Sequence, residues 1–175
     1  MVLLVIDMQK GIVSNGLYNY DKFLENIIKI VNAARDNNIQ IVYFKHDAGL
    51  NSGLSQGDSD FEIIDEINPK PNDLLFIKTI NSCFGNKEFK EYLKKQNDRR
   101  LMIVGLQTNY CIDATIKSAF ERGYEIIIPK GTNSTYDNKF MSGKTTYNYY
   151  HEDVWEGLVN IITMKKAIDL LKRKE

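Results

Sequence analysis

Short unbroken apolar runs alternate along this chain with longer segments whose apolar residues recur every three or four positions. Residues 2–6 are five apolar residues without a polar interruption, as a strand buried on both faces needs. A loop over 11–20, rich in Gly, Asn and Tyr, leads to Asp21, placed to cap a helix in which Phe23, Leu24, Ile27, Ile28, Ile30, Val31 and Ala34 fall at helical spacing. Asn37-Asn38 ends it. Residues 40–44 predict a second strand and 74–77 a third; the glycine-rich loop between them, over 48–60, is longer than a simple connection requires. A charged helix over about 86–96 follows, with Phe89, Tyr92 and Leu93 facing inward.

The fourth strand is 101–104. Gly105 then frees the backbone to turn, and Ile112, Thr115, Ile116 and Ala119 predict a helix over 110–122 that stops at Gly123. A fifth strand is expected at 125–128 and an aperiodic polar loop at 131–143. A helix beginning near His151 carries Val154, Trp155, Leu158 and Val159. Residues 160–162 read as a short sixth strand, and Thr163 caps a last helix that runs into Lys172-Arg-Lys-Glu.

Apolar strands alternating with amphipathic helices specify a doubly wound α/β domain, a mostly parallel sheet covered on both faces. The 175 residues suffice for one domain with a full core and no disulfide or metal. In such sheets ligands bind beyond the carboxyl ends of the strands. Three residues poorly suited to a core stand at those ends: Asp7 after the first strand, Lys78 after the third, and Cys111 just past the fourth.

Composition narrows the chemistry. Lys plus Arg and Asp plus Glu each total 23, so no global field draws in nucleic acid or an anionic membrane. The N-terminus turns polar at Asp7, too soon for a signal peptide or a membrane span, and two unpaired cysteines suit a reducing, cytoplasmic setting. With only His46 and His151 present, any mechanism needing several imidazoles is excluded.

The trio forms a coherent set for acyl transfer without histidine. A thiol in the first turn of a helix and beside an ammonium is expected to have a lowered pKa, while Asp7 can relay its proton to a leaving group and later activate water. If the turn before Cys111 aims its amides at the same point, the N–H groups of Gln107 and Cys111 form an oxyanion hole. Cys83 has no activating neighbour and reads as structural. No Gly-x-Gly-x-x-Gly follows the first strand and no Walker sequence occurs, which argues against the alternative of a non-catalytic Rossmann-like binding module.

Leu4-Val-Ile-Asp-Met-Gln9, Phe76-Ile-Lys78 with Cys83-Phe84, and Val104-Gly-Leu-Gln-Thr-Asn-Tyr-Cys111 together resemble the isochorismatase-like cysteine hydrolases, over nearly the whole chain and in the right order. The resemblance implies a three-layer α/β/α fold, with a six-stranded sheet of order 3-2-1-4-5-6. It also implies an Asp7-Lys78-Cys111 triad, a cis peptide between Leu106 and Gln107, a small-molecule substrate and a homo-oligomer. Nicotinamidases of this family carry an Asp-x-His pair and a further His that bind metal; Lys45-His46-Asp47 lacks the second His, so no metal and no other cofactor are expected. His46 reads first as structural, with a hydrogen bond to substrate as the alternative. Phe84 reads equally as an apolar wall over the nucleophile or as core. The expected activity is C–N hydrolysis of a small amide or carbamoyl compound through a Cys111 thioester; hydrolysis of an isochorismate-like vinyl ether is the second enzymatic reading.

Overall fold

The computed structural model describes residues 1–172; the charged end expected at 173–175 lies outside the described residues. β1 (Val2–Ile6) lies at the centre of a parallel sheet, between β2 (Gln40–His46) and β4 (Arg100–Leu106). With β3 (Leu74–Lys78), β5 (Glu125–Pro129) and β7 (Asn160–Ile162), the order is β3-β2-β1-β4-β5-β7. The chain thus winds outward twice from the centre, and strand order reverses between β1 and β4.

The short β period splits the core into two layers. Leu3, Val5, Ile41, Tyr43, Met102 and Val104 point to the side covered by α1 (Tyr20–Asp36) and α5 (Met164–Lys172). Val2, Leu4, Ile6, Val42, Phe44, Leu101 and Ile103 point to the side covered by α2 (Lys87–Lys94) and α3 (Asp113–Phe120). Each fully buried aliphatic side chain contributes about 1.5–3 kcal/mol relative to exposure. This two-sided demand explains why the strands read as continuous apolar runs rather than alternating ones. Among the described residues no helix is long and apolar enough to cross a membrane.

Three local expectations are corrected. The helix expected at 110–122 is an α-helix only over Asp113–Phe120, and Cys111 lies before it in a π-helical turn, Thr108–Ile112. Such turns are undetectable by a 3.6-residue period. The helix expected near His151 starts earlier, as α4 (Gly143–Tyr149), and passes into a π-turn, Tyr150–Val154. Its start is polar and is fixed by Ser142 Oγ accepting the Thr145 N–H at 3.1 Å, while Leu158 and Val159 fall beyond the helical residues. The polar loop at 131–143 holds a seventh strand, β6 (Asn133–Ser134), which pairs in parallel with Gly105 and Leu106. Two polar residues carry no hydrophobic periodicity, and their pairing is set from the β4 side.

α1 begins at Tyr20, behind a left-handed Asn19 that makes no side-chain cap; Asp21 sits in the first turn instead. Gly105 is the residue the central sheet depends on most directly. Its φ is +119°, and a Cβ there would stand 2.1 Å from the Ile6 carbonyl oxygen, so no other residue lets β4 lie against β1 at this point.

Candidate active site

Asp7 leaves β1 in the left-handed region, φ +53°, a conformation that Asp tolerates better than most residues. That twist takes its side chain out of the strand at the point where strand order reverses. Lys78 is the last residue of β3, aligned with His46 of β2, and its extended side chain crosses β2 to reach Asp7. Cys111 arrives from the other side on the turn after β4. The peptide between Leu106 and Gln107 at the start of that turn is cis.

One ammonium joins these elements. Lys78 Nζ lies 2.8 Å from Asp7 Oδ2, 3.1 Å from Cys111 Sγ and 3.2 Å from His46 Nδ1, with its side chain wholly buried. Asp7 Oδ1 is also buried and has no hydrogen-bond partner, leaving one carboxylate oxygen free to accept a proton. Cys111 Sγ is 3.8 Å from Asn81 Oδ1, and Asn81 is exposed at the surface.

Electrostatics set the resting protonation states. Burial opposes the charge on Lys78, but Asp7, Cys111 and Cys83 outweigh it and hold the ammonium above its ordinary range. Burial raises the Asp7 carboxyl above the usual carboxylate range, against the pull of Lys78. For Cys111 the expected lowering is reversed: burial, then the Asp7 charge, push the thiol up to about 12, and Lys78 only partly offsets them. The cause is the low dielectric of the crevice, in which a thiolate beside a carboxylate is disfavoured more than one ammonium can repair. Cys111 is therefore a neutral thiol at rest.

His46 is half-buried, and burial followed by the Lys78 charge lowers its pKa, so a neutral ring accepts from Lys78 through Nδ1. Gln9 fixes its backbone in both directions, accepting the His46 N–H at 2.6 Å and donating to the His46 carbonyl at 3.1 Å. Asp47 organises the following loop by accepting from Gly49 N and Ser55 Oγ. Phe84 lies in the core, its ring against Phe89 and Tyr124. Cys83 is likewise buried, with its thiol pushed above the ordinary range by desolvation.

A carboxylate oxygen of Asp7, a ring nitrogen of His46 and Cys111 Sγ lie within 4.8 Å of one another, close enough to suggest a cation site. Lys78 Nζ already touches all three residues, so the positive charge such a cluster calls for is supplied by the chain itself.

Sequence reasoning missed several supporting residues. Thr108 Oγ1 donates to Asn133 Oδ1 at 2.7 Å, Thr135 Oγ1 lies within hydrogen-bonding distance of Gln107 Oε1 and Asn109 Oδ1, and the Asn133 amide meets His151 Nε2 at 3.1 Å. Asn133, Thr135 and His151 come from the loop and helix whose patterning was least readable, and Thr108 from the turn before Cys111. Gln9, three positions after the end of an obvious strand, was legible as part of a motif but not as the clamp on His46.

Comparison with known proteins shows the family and the fold. Residues 1–145 match the isochorismatase domain model, so the chain belongs to the isochorismatase family and is a hydrolase. It is 26% identical over 196 aligned residues to the ureidoacrylate amidohydrolase RutB of Agrobacterium fabrum, covering 90% of this chain and 86% of that one. A crystal structure of an isochorismatase family protein superposes with a TM-score of 0.83 at 27% identity, over 92% of this chain and 96% of the other. A cysteine hydrolase from Pseudomonas syringae pv. phaseolicola 1448A shares the fold with a TM-score of 0.88 at 21% identity, over 98% and 92% of the two chains.

Proposed function

We propose that the chain acts as a single amidohydrolase domain that cleaves a C–N bond of a small amide or N-carbamoyl compound, with Cys111 as nucleophile, Asp7 as base and acid, and Lys78 as the charge that couples them. The observation that carries this reading is the contact of one buried ammonium with both Asp7 and Cys111, beside a carboxylate oxygen left without a partner. The relative named as a ureidoacrylate amidohydrolase supports the C–N bond and the carbamoyl class.

The chemistry follows from the protonation states. As Cys111 Sγ forms its bond to the carbonyl carbon, the thiol proton passes to Asp7 and the carbonyl π electrons move onto oxygen. The backbone N–H groups of Gln107 and Cys111 are the proposed donors to that oxygen. Collapse of the intermediate breaks the C–N bond, Asp7 returns the proton to the departing nitrogen, and a thioester remains. Water then loses a proton to Asp7 while attacking the thioester, and Cys111 leaves with that proton. Lys78 stays charged throughout and offsets the negative charge that moves between sulfur and Asp7. A carboxyl with a raised pKa suits this part, since it binds a proton more readily than an exposed carboxylate at neutral pH.

The test is a panel of small amides and ureido acids with ammonia detection, followed by intact-mass measurement under turnover. An acyl or carbamoyl adduct on Cys111 is the expected result. Turnover of a vinyl ether without an adduct, and no ammonia from any amide, would replace this reading by the vinyl-ether one.

A further inference from the structure

Asn133 of β6 and Thr135 just past its end grip the turn that carries Cys111. Thr135 Oγ1 lies 2.6 Å from Asn109 Oδ1 and 3.1 Å from Gln107 Oε1, and Asn133 Oδ1 accepts the Thr108 hydroxyl at 2.7 Å. Residues 107, 108 and 109 are thus each held, in succession, from the strand side. Thr108, Asn133 and Thr135 are buried to within 2% of full. Ser134 between them donates to the Tyr18 carbonyl at 2.6 Å, and the Tyr18 N–H donates to the Thr135 carbonyl at 3.0 Å, so the strand is itself tied to the 11–20 loop.

The grip closes into a ring. His151 Nε2 meets the Asn133 amide at 3.1 Å and its imidazole stacks on Tyr147 with centroids 3.9 Å apart. Its other neighbour is Trp155, at 4.9 Å, whose Nε1 donates to Asp113 Oδ1 at 3.0 Å. Asp113 is the first residue of α3, two positions after Cys111. The turn is therefore held at its beginning by Asn133 and Thr135 and at its end through Trp155, with His151 joining the two.

We propose that Thr135 and Asn133 are positioning residues for the reaction at Cys111: their side chains fix the backbone of the 107–111 turn so that its amides meet the developing oxyanion. This rests on the reading of Cys111 as the nucleophile and of Gln107 and Cys111 N–H as oxyanion donors. Neither residue touches the sulfur; each acts through the turn. The physical requirement is strict. Oxyanion donors work at 2.7–3.1 Å from the charge that develops, and loss of one costs roughly a hundred- to a thousandfold in rate. Productive geometry tolerates displacement of only about 0.5 Å. The turn leaves β4 as a single five-residue π-turn, Thr108–Ile112, with few backbone bonds of its own to meet that tolerance, which is where buried side-chain bonds contribute.

The experiment compares Thr135→Val, which removes the hydroxyl at constant shape, with Thr135→Ser, which keeps it. p-Nitrophenyl acetate serves as the acyl donor, because it acylates a nucleophilic cysteine whatever the natural substrate. Expected for Thr135→Val is an acylation rate constant lower by about 10- to 100-fold with the half-saturating ester concentration nearly unchanged, and recovery of most of the rate in Thr135→Ser. The rate of iodoacetamide alkylation of Cys111 stays at the wild-type value, since Lys78 and Asp7 keep their contacts. Thr135→Ala makes the same comparison should Thr135→Val fail to fold. An unchanged acylation rate without the hydroxyl, or an equal fall in Thr135→Ser, overturns the proposal. Absence of any acetyl adduct on wild-type Cys111 instead defeats the nucleophile reading, whatever residue 135 does, so the two failures are distinguishable.

Discussion

Lys78 Nζ lies 2.8 Å from Asp7 Oδ2 even though the two residues end strands that are not neighbours, with the whole of β2 between β3 and β1. Adjacent strands stand about 4.8 Å apart, so a gap of roughly 10 Å is bridged by the lysine stem, which lies buried across the end of β2 beside His46. The same ammonium reaches Cys111 from the opposite side of β1. A shorter side chain at position 78 could not join the three.

Asp7→Asn separates the two effects of Asp7. Burial, and after it the Asp7 charge, hold the Cys111 thiol high, so removing that charge lowers the pKa and makes thiolate more available at a given pH. Asn also tolerates the left-handed backbone at this position. Iodoacetamide labelling of Cys111 at neutral pH should then become faster while amide turnover falls by about 10²–10⁴-fold. If both rates fall together, Asp7 supports the thiolate rather than accepting its proton.

Cys111→Ser tests the nucleophile directly. Sulfur and oxygen differ little in volume, and stability should change by only about 1 kcal/mol. Turnover should fall by several orders of magnitude, because a serine hydroxyl in the same low-dielectric crevice is much harder to deprotonate. In the wild-type protein iodoacetamide should label Cys111 in step with loss of activity and leave the buried Cys83 untouched. Near-normal turnover in the serine variant would remove the covalent route.

Chelation should change nothing. Lys78 places a positive charge in contact with Asp7, His46 and Cys111, the three residues a cation would need, and a divalent ion at the same point would be repelled by it. Activity measured before and after extended dialysis against EDTA should agree. A loss restored by zinc would show that the ammonium can be displaced and would call for a different mechanism.

His151 carries a prediction about stability against pH. Burial, then the Lys130 charge, bring its pKa down to about 4, while the unfolded chain has the ordinary value of 6.5. Between pH 6.5 and 4 the unfolded state binds the extra proton, so stability falls as pH falls through that window, at up to about 1.4 kcal/mol per pH unit from this group. Below about pH 4 both states are protonated and the contribution levels off. His151→Gln should remove this component of the slope, read by denaturant titration at pH 7, 6, 5 and 4.5. An unchanged slope would mean that His151 titrates freely in the folded protein.

The parts of this protein that could be read from residues alone are those governed by one strong force. Burial on both faces makes β1 and β4 unmistakable runs, and the strand ends then single out Asp7, Lys78 and Cys111 by polarity alone. What escaped was governed by many weak, specific bonds. β6 is two polar residues whose partners are the backbone of Gly105 and the side chains of Thr108 and His151, none of them near in sequence. The start of α4 was hidden because it is anchored by the Ser142 cap and by the aromatic stack of Tyr147, His151 and Trp155, not by aliphatic spacing. The protonation state of Cys111 was read with the wrong sign, since sequence shows the neighbouring ammonium but not the depth at which both groups lie.

β3 is the outermost strand on its side, and the residue on which the site's charge balance depends is its last one. Among the described residues it ladders only with β2, and its outer edge is met by the Asn86 side chain at the Ile77 carbonyl. Sheet margins open more readily than sheet centres, so this strand is suited to be among the first parts of the structure to let water in on warming. Lifting it would withdraw the ammonium and leave a bare carboxylate facing a thiol, a chemically silent pair inside a protein still largely folded. Heat inactivation should therefore run a few degrees ahead of global melting and reverse on cooling, with amide exchange at residues 75–78 faster than along β1 and β4.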